Sequence, residues 1–191
     1  MIDRDGAWAV LTEFTASESL RKHALAVEAA MRAYAAHEGA DAEAWGIAGM
    51  LHDFDYEMHP RAPQHPMKGA EILTARGVDS DIVYAILSHA DYSGMPRVSR
   101  LDRALYACDE LTGFVHACAL VRPGRVIAGL EPASVRKKLR DKAFARTVNR
   151  DDVYRGADEL GVELDHHIAF VVAALTPIAP DVGLAAGAPT R

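Results

Sequence analysis

The sequence is poor in cysteine, in basic residues and in long apolar runs, and each shortage removes a class of protein. Its 2 cysteines, Cys108 and Cys118, lie ten positions apart in one apolar stretch. A helix would hold such a pair roughly 15 Å apart, so they read as buried thiols of a reducing compartment rather than as a disulfide framework. No apolar stretch reaches the roughly 20 residues that cross a bilayer. The opening Met1-Ile2-Asp3-Arg4-Asp5 lacks the basic region and apolar run of a secretory signal. These absences lead to the expectation of a soluble, cytoplasmic protein with no membrane partner. The 21 basic residues are outnumbered by 27 acidic ones, for a net charge of −6. That is not the profile of a nucleic-acid-binding chain. Strand-type alternation of useful length is missing too, as is any internal repeat.

What the chain has is helical periodicity. Half of its 191 residues are hydrophobic, enough for one domain of ordinary size with a full core. Thr15-Ala16-Ser17-Glu18 has the form of a capping box, and Leu20, Ala24, Val27, Met31 and Tyr34 follow at helical spacing towards Gly39. A second helix is predicted from about Asp41 to His52, then a proline-containing loop over 54–65. Pro66 suits a first turn, and Met67 to Arg76 runs to Gly77. Asp79 or Ser80 caps a helix ending at Ser88-His89, and a long apolar helix spans about Arg100 to Leu120. A basic helix is expected from Pro132 to Thr147, another over Asp151–Leu160, and a last one over Glu163–Leu175. Thr176 to Arg191, rich in Ala, Gly and Pro, is expected to be a flexible tail. The fold class is therefore all-α, one domain over 1–175.

The chemistry concentrates in a few residues. His52-Asp53 sits where eight residues without a charge, Ala44 to Leu51, run out. A buried aspartate there is costly unless a metal or a helix-end cap compensates it. Asp109 lies in Ala107-Cys108-Asp109-Glu110-Leu111, apolar on most sides. A cation would remove that cost, as would a salt bridge to Arg103 or a solvent-facing position beside Glu110. His23 falls on the inward face of its helix, where a hydrogen-bonded core histidine is the alternative to a ligand. His65 and His89 sit at helix boundaries, with His59 the substitute for His65. Together these form a mixed nitrogen–oxygen set suited to one or two divalent ions, Mn, Fe, Co or Ni, with Zn also accommodated. His23, His52, Asp53 and Asp109 would hold one ion, and His65 and His89 a second, with Asp53 shared.

The motifs Arg21-Lys22-His23, Gly49-Met50-Leu51-His52-Asp53, His65-Pro66-Met67-Lys68-Gly69-Ala70-Glu71, Ala85-Ile86-Leu87-Ser88-His89 and Ala107-Cys108-Asp109 occur in that order. Over about half the chain, they resemble the HD-domain superfamily of metal-dependent phosphohydrolases, in its HDIG-type subgroup. The resemblance implies an HD-domain helical bundle with a central metal site. Through His65 and His89 it points to the binuclear branch, which includes enzymes that hydrolyse diadenosine tetraphosphate and some cyclic-nucleotide phosphodiesterases. The subgroup's Ile-Gly after the dyad is Phe54-Asp55 here, and Tyr56-Glu57 stands where a lysine is often found. No phosphate-contacting lysine is carried over from that loop, and Asp55 becomes an outer-shell or acid/base candidate. The segments beyond Thr112, including Asn149-Arg150-Asp151-Asp152-Val153-Tyr154-Arg155, resemble a widespread HD-domain branch.

The function expected from this set is hydrolysis of a phosphoester or phosphoanhydride, in a nucleotide, by metal-bound hydroxide. Catalytic candidates are Asp53, Asp55 and Asp91. Lys68, Arg97, Lys138 and Lys142 are candidates for holding the phosphate, a solvated charged face being the alternative for the last two. Two other functions use the same scaffold: a mixed-valent di-iron oxygenase, and a non-catalytic module that senses or binds a nucleotide. The expected partner is a small phosphorylated substrate. Ile168, Phe170, Val171 and Val172 would pack either within the chain or across a homodimer.

Overall fold

The computed structural model describes residues 2–187. Among the described residues the regular structure is nine α-helices and two short 3-10 helices without a strand, and the backbone bridge between Val126 and Ala185 is isolated. Helix α1 (Arg4–Phe14) opens on Asp3, whose carboxylate accepts from the Gly6 amide, and buries Ala7, Val10 and Leu11 at helical spacing. It was not anticipated from the sequence. Helix α2 (Glu18–Glu38) starts at Ser17, which accepts from the Leu20 amide, and ends at Gly39 with φ 69°. The expected box at Thr15 therefore does not form. Thr15 terminates α1, and its hydroxyl donates to the Phe54 carbonyl at 2.8 Å, tying that end to the loop after His52-Asp53.

Helix α3 (Ala42–Leu51) is capped by Asp41 and runs directly into His52. Helix α4 (Gln64–Ala75) has a non-helical His65 at its entrance, and α5 (Ser80–Ser88), capped by Asp79, ends on His89. Helix α6 (Arg100–Leu120) carries a reciprocal capping box between Ser99 and Asp102. Then come α7 (Pro132–Leu139), α8 (Arg150–Leu160) and α9 (Leu164–Leu175). The basic helix expected to reach Thr147 stops at Leu139. Asp141 accepts from the Ala143 amide, Ala145 has φ 41°, and Arg150 donates to the carbonyls of Ala145 and Val148. A local carboxylate and a guanidinium thus take the backbone groups that a longer helix would pair.

Helix α2 packs against α3, α6 and α9, while α3 and α5 both meet α6. The ends of α3 and α5 therefore converge beside the middle of α6. Helix α8 lies so close to α6 that a Cβ at Gly156 would stand 2.7 Å from the Ala107 Cα. Ile168, Val171 and Val172 are buried within the chain, and Phe170 lies against Tyr34 with ring centroids 4.2 Å apart. Both cysteines are buried and free. The tail differs from expectation over 176–187. Ala179, Val182 and Leu184 are buried, and Ala185 exchanges backbone hydrogen bonds with Arg125 and Ile127. Those apolar residues outweigh the Ala-Gly-Pro composition around them. Residues 188–191 of the expected tail lie outside the described residues. No helix among the described residues is long and apolar enough to cross a membrane.

Candidate metal centre

Two histidines of the centre are placed by helix ends. The last carbonyls of an α-helix lack intrahelical partners. His52 closes α3 and donates through Nδ1 to the Gly49 carbonyl at 2.8 Å. His89 closes α5 and donates in the same way to the Ile86 carbonyl. His65, turned out of helical geometry at the entrance of α4, donates through Nδ1 to Asp55 Oδ1 at 2.7 Å. A carbonyl or carboxylate can only accept, so each neutral ring carries its proton on Nδ1 and presents a bare Nε2. The four rings form a row, with centroids 5.2 Å apart from His23 to His52, 5.3 Å from His52 to His89 and 5.2 Å from His89 to His65.

The carboxylates thread between them. Asp109, on α6, places Oδ1 3.0 Å from His23 Nε2 and 3.3 Å from His52 Nε2. Asp53 turns Oδ2 towards His52 Nε2 at 3.5 Å, and Oδ1 towards His65 Nε2 at 3.1 Å and His89 Nε2 at 3.5 Å. Two donor sets result, His23–His52–Asp53–Asp109 and Asp53–His65–His89, with the donor atoms of each within 4.8 Å of one another. The sets share Asp53, one oxygen facing each. His52 Nε2 is buried and has no hydrogen-bond partner of acceptable geometry. A buried ring nitrogen left unpaired costs free energy unless something else occupies it. The donor set is compatible with a divalent cation there.

Electrostatics favour charge exchange at the centre. Burial works against the charged form of His52, but Asp53 and Asp109 outweigh it and push the ring up to about 10. His65 is raised to about 9, again against burial, by Asp53 and Asp55. The burial of Asp53 is overcome by His52, His65 and His89, which hold its carboxyl well below the usual range. Asp109 is lowered in the same way by His52 and His23. Without a metal, His52 and His65 thus pair as imidazoliums with the carboxylates, and a cation would displace their protons.

The residues assigned as supports divide sharply. Asp55 is buried behind His65, with Oδ2 accepting from the Gly69 amide at 2.9 Å. Gly69 makes room for it: a Cβ there would lie 2.7 Å from the Asp55 carboxyl carbon. Both Asp55 oxygens are taken by these bonds, and the residue does not line the cleft. Asp91 lies on the cleft rim and binds two guanidiniums, Arg97 at 2.9 Å and Arg155. Those arginines overcome its partial burial and hold its pKa low, so it has no proton to donate near neutrality. Arg97 is not free for a phosphate, because it grips Glu159 through Nε and Nη2 at 2.6 and 2.8 Å and stacks 3.6 Å over Tyr106. Lys68 pairs with Glu71 on the outward face of α4, and Lys138 lies 4.4 Å over the Phe144 ring. Lys142 stands exposed in the turn beyond α7. None of Lys68, Lys138 and Lys142 lines the cleft.

A cleft of about 820 Å³ opens over the centre, and its wall opposite the histidines comes from α6 and α8. Sequence reasoning missed the lining residues Lys22, Tyr56, Tyr92, Glu110, Asp152 and Arg155. Three carried a readable signal. Lys22 precedes His23, and Asp152 and Arg155 share a helix face at i,i+3. Glu110, half-buried beside Asp109, is pushed up to about 8 by desolvation and then by the Asp109 charge. Tyr92 is raised to about 12 by burial and by Asp53 and Asp55. His59 lies outside both donor sets. His167 is buried between the Tyr34 hydroxyl and the Ala107 carbonyl, at 2.6 and 3.0 Å.

Comparison with known proteins gives one family. Residues 20–113 match the family model described as HD domain, a span that contains all six clustered residues. No curated protein and no solved structure gave a significant match. The all-helical fold and the metal-compatible His/Asp cluster agree with that similarity to the HD domain.

Proposed function

We propose that the protein is a metal-dependent phosphohydrolase that cleaves a phosphoester or phosphoanhydride of a small phosphorylated molecule, a nucleotide being the first class to test. The observation that carries this is the shared carboxylate. Asp53 directs one oxygen to each of two donor sets, while the buried Nε2 of His52, between the Asp53 and Asp109 carboxylates, makes no well-formed hydrogen bond. His23, His52, Asp53 and Asp109 would hold one ion, and Asp53, His65 and His89 a second. Mn, Fe, Co and Ni suit this nitrogen–oxygen set, and Zn is accommodated. Paired divalent ions supply Lewis acidity towards phosphoryl oxygens and activate water for attack.

The chain's own residues do the rest. Hydrogen bonds to Gly49, Asp55 and Ile86 fix the rings of His52, His65 and His89 before anything binds, so no reorganisation is needed on binding. Lys22 and Arg155 are the cations that line the cleft, and they are placed to take phosphate oxygens. Tyr92 keeps its proton at physiological pH and faces the cleft as a hydrogen-bond donor. The test is metal content by plasma mass spectrometry, followed by phosphate release across a nucleotide panel, for the wild type and Asp53→Ala. Two ions per chain and phosphate release, both lost in the variant, are expected. Full metal content and activity in Asp53→Ala would overturn the proposal. Iron-dependent oxygen uptake without phosphate release would replace it with the oxygenase chemistry.

A further inference from the structure

We infer that Gly113 is a specificity-determining residue: it keeps open an arm of the cleft in which the organic part of the substrate lies. This rests on the phosphohydrolase reading and adds the place of the group that carries the phosphate. A glycine inside a helix weakens it relative to alanine, so each one calls for a packing reason. The other glycines inside α-helices have one. A Cβ at Gly6, Gly46, Gly49, Gly69 or Gly156 would stand 2.8, 2.5, 3.0, 2.7 or 2.7 Å from a neighbouring group. Gly113 has no such neighbour. Apart from its own helix, its Cβ would meet only the His23 ring within 4 Å, at an ordinary 3.7 Å. The helix could take an alanine there, and the space it would enter is the cleft beside a proposed metal ligand.

The arm runs away from the centre along one face of α6. Asp109, Gly113, His116 and Ala117 recur at helical spacing, and all line the cleft. From Asp109 to Ala117 the rise is about 12 Å. Helices α2 and α6 are antiparallel, since Glu38 pairs with Arg100 and His23 with Asp109. Ser19, one turn before His23, therefore stands across from this stretch of α6. On the other side the turn after α7 runs along α6, with the Phe144 and Phe114 centroids 5.6 Å apart, and brings Ala145 and Val148 to the cleft. At the far end His116 donates through Nε2 to the Val182 carbonyl at 2.9 Å, so the C-terminal segment bounds the arm. The neutral His116 ring then has an acceptor left in Nδ1. An apolar side, a facing hydroxyl and an imidazole acceptor at the end suit a sugar or nucleoside that bears hydroxyl or amino donors. His116, Ala117 and Val182 lie beyond the segment matched by the family model.

The experiment uses the full chain loaded with Mn²⁺ and three phosphomonoesters of equal phosphoryl charge: AMP, glucose 6-phosphate and methyl phosphate. Calorimetry measures affinity, and phosphate release is followed alongside. AMP or glucose 6-phosphate should bind the wild type at least tenfold more tightly than methyl phosphate, which has nothing to place in the arm. Gly113→Ala should raise the melting temperature by about 2–4 °C through helix propensity, and narrow that ratio at least threefold. Ala117→Leu, whose side chain leans back over Gly113, should narrow it further without touching the His23 contact. The inference is overturned if AMP and glucose 6-phosphate bind no more tightly than methyl phosphate, or if either variant leaves the ratio unmoved. A lower melting temperature in Gly113→Ala also overturns it, since the glycine would then serve packing. If no compound releases phosphate, the hydrolase reading falls, and the binding ratios alone decide this one.

Discussion

Asp55→Asn is the sharpest perturbation of the proposed centre, because it changes one proton without changing shape. In the wild type, Asp55 accepts from His65 Nδ1 at 2.7 Å and from the Gly69 amide at 2.9 Å. An asparagine can keep its oxygen on the Gly69 amide, and then its NH₂ must face His65 Nδ1. That nitrogen has to become the acceptor, which moves the ring proton to Nε2, the atom that lies 3.1 Å from Asp53 Oδ1. A protonated Nε2 is not a metal ligand. Loss of such an outer-shell partner typically costs 10–100-fold in metal affinity. The loss should fall on the Asp53–His65–His89 set alone, since Asp55 touches no residue unique to the other set. Titration with Mn²⁺ by calorimetry, with bound metal counted by mass spectrometry, should show two ions per chain falling towards one at micromolar metal. Asp55→Ala removes the acceptor as well and leaves the buried Gly69 amide unpaired, at about 1–3 kcal/mol. For a chain of this length, that lowers the melting temperature by about 2–4 °C per kcal/mol. Wild-type affinity for both ions in Asp55→Asn would refute the tautomer reasoning.

Other expectations follow from the same geometry. The metal-free protein should lose stability as pH rises through 9 to 10, because His52 at about 10 and His65 at about 9 lie above the ordinary histidine value. A raised histidine pKa stabilises fully below about 6.5 and ceases to do so once the ring deprotonates. Metal needs the deprotonated rings, so the melting-temperature gap between Mn²⁺-loaded and chelated protein should widen with pH, and a constant gap would contradict this. Gly156→Ala puts a Cβ 2.7 Å from the Ala107 Cα, and overpacking of this kind costs about 1–3 kcal/mol. Thermal melts should show it, with phosphate release falling as α8 moves from the cleft. Lys22→Ala and Arg155→Ala should each lower kcat/KM at least tenfold, while Lys68→Ala and Lys142→Ala stay within twofold of wild type. The reverse pattern would return the phosphate to the outer lysines.

Much of the centre was legible because its causes are local. His52 and His89 end apolar helices, where a ring can bond the carbonyl three residues back, and such a position shows in sequence as an apolar run stopping at a histidine. Asp109 was legible as a carboxylate in an apolar helix, where isolation would be costly. The supports were not legible, because their role depends on which way a side chain turns. Lys68 is three positions from His65 yet points outward to Glu71, and Arg97 is consumed by Glu159, sixty-two residues away. Asp55 could be an acid or a brace until Gly69 was seen beneath it.

By itself, the sequence determined the periodicity that makes this chain helical. It also determined the chemical types gathered at the centre, since apolar spacing, cap residues and buried charges act over one or two turns. Only the tertiary structure decided that Asp53 would face both donor sets and that α8 would wall the cleft with Asp152 and Arg155. It alone placed residues 176–187 back against the core. Those outcomes depend on how distant helices pack and on which charged groups find each other first. No local spacing encodes a contact whose two halves lie forty or more residues apart.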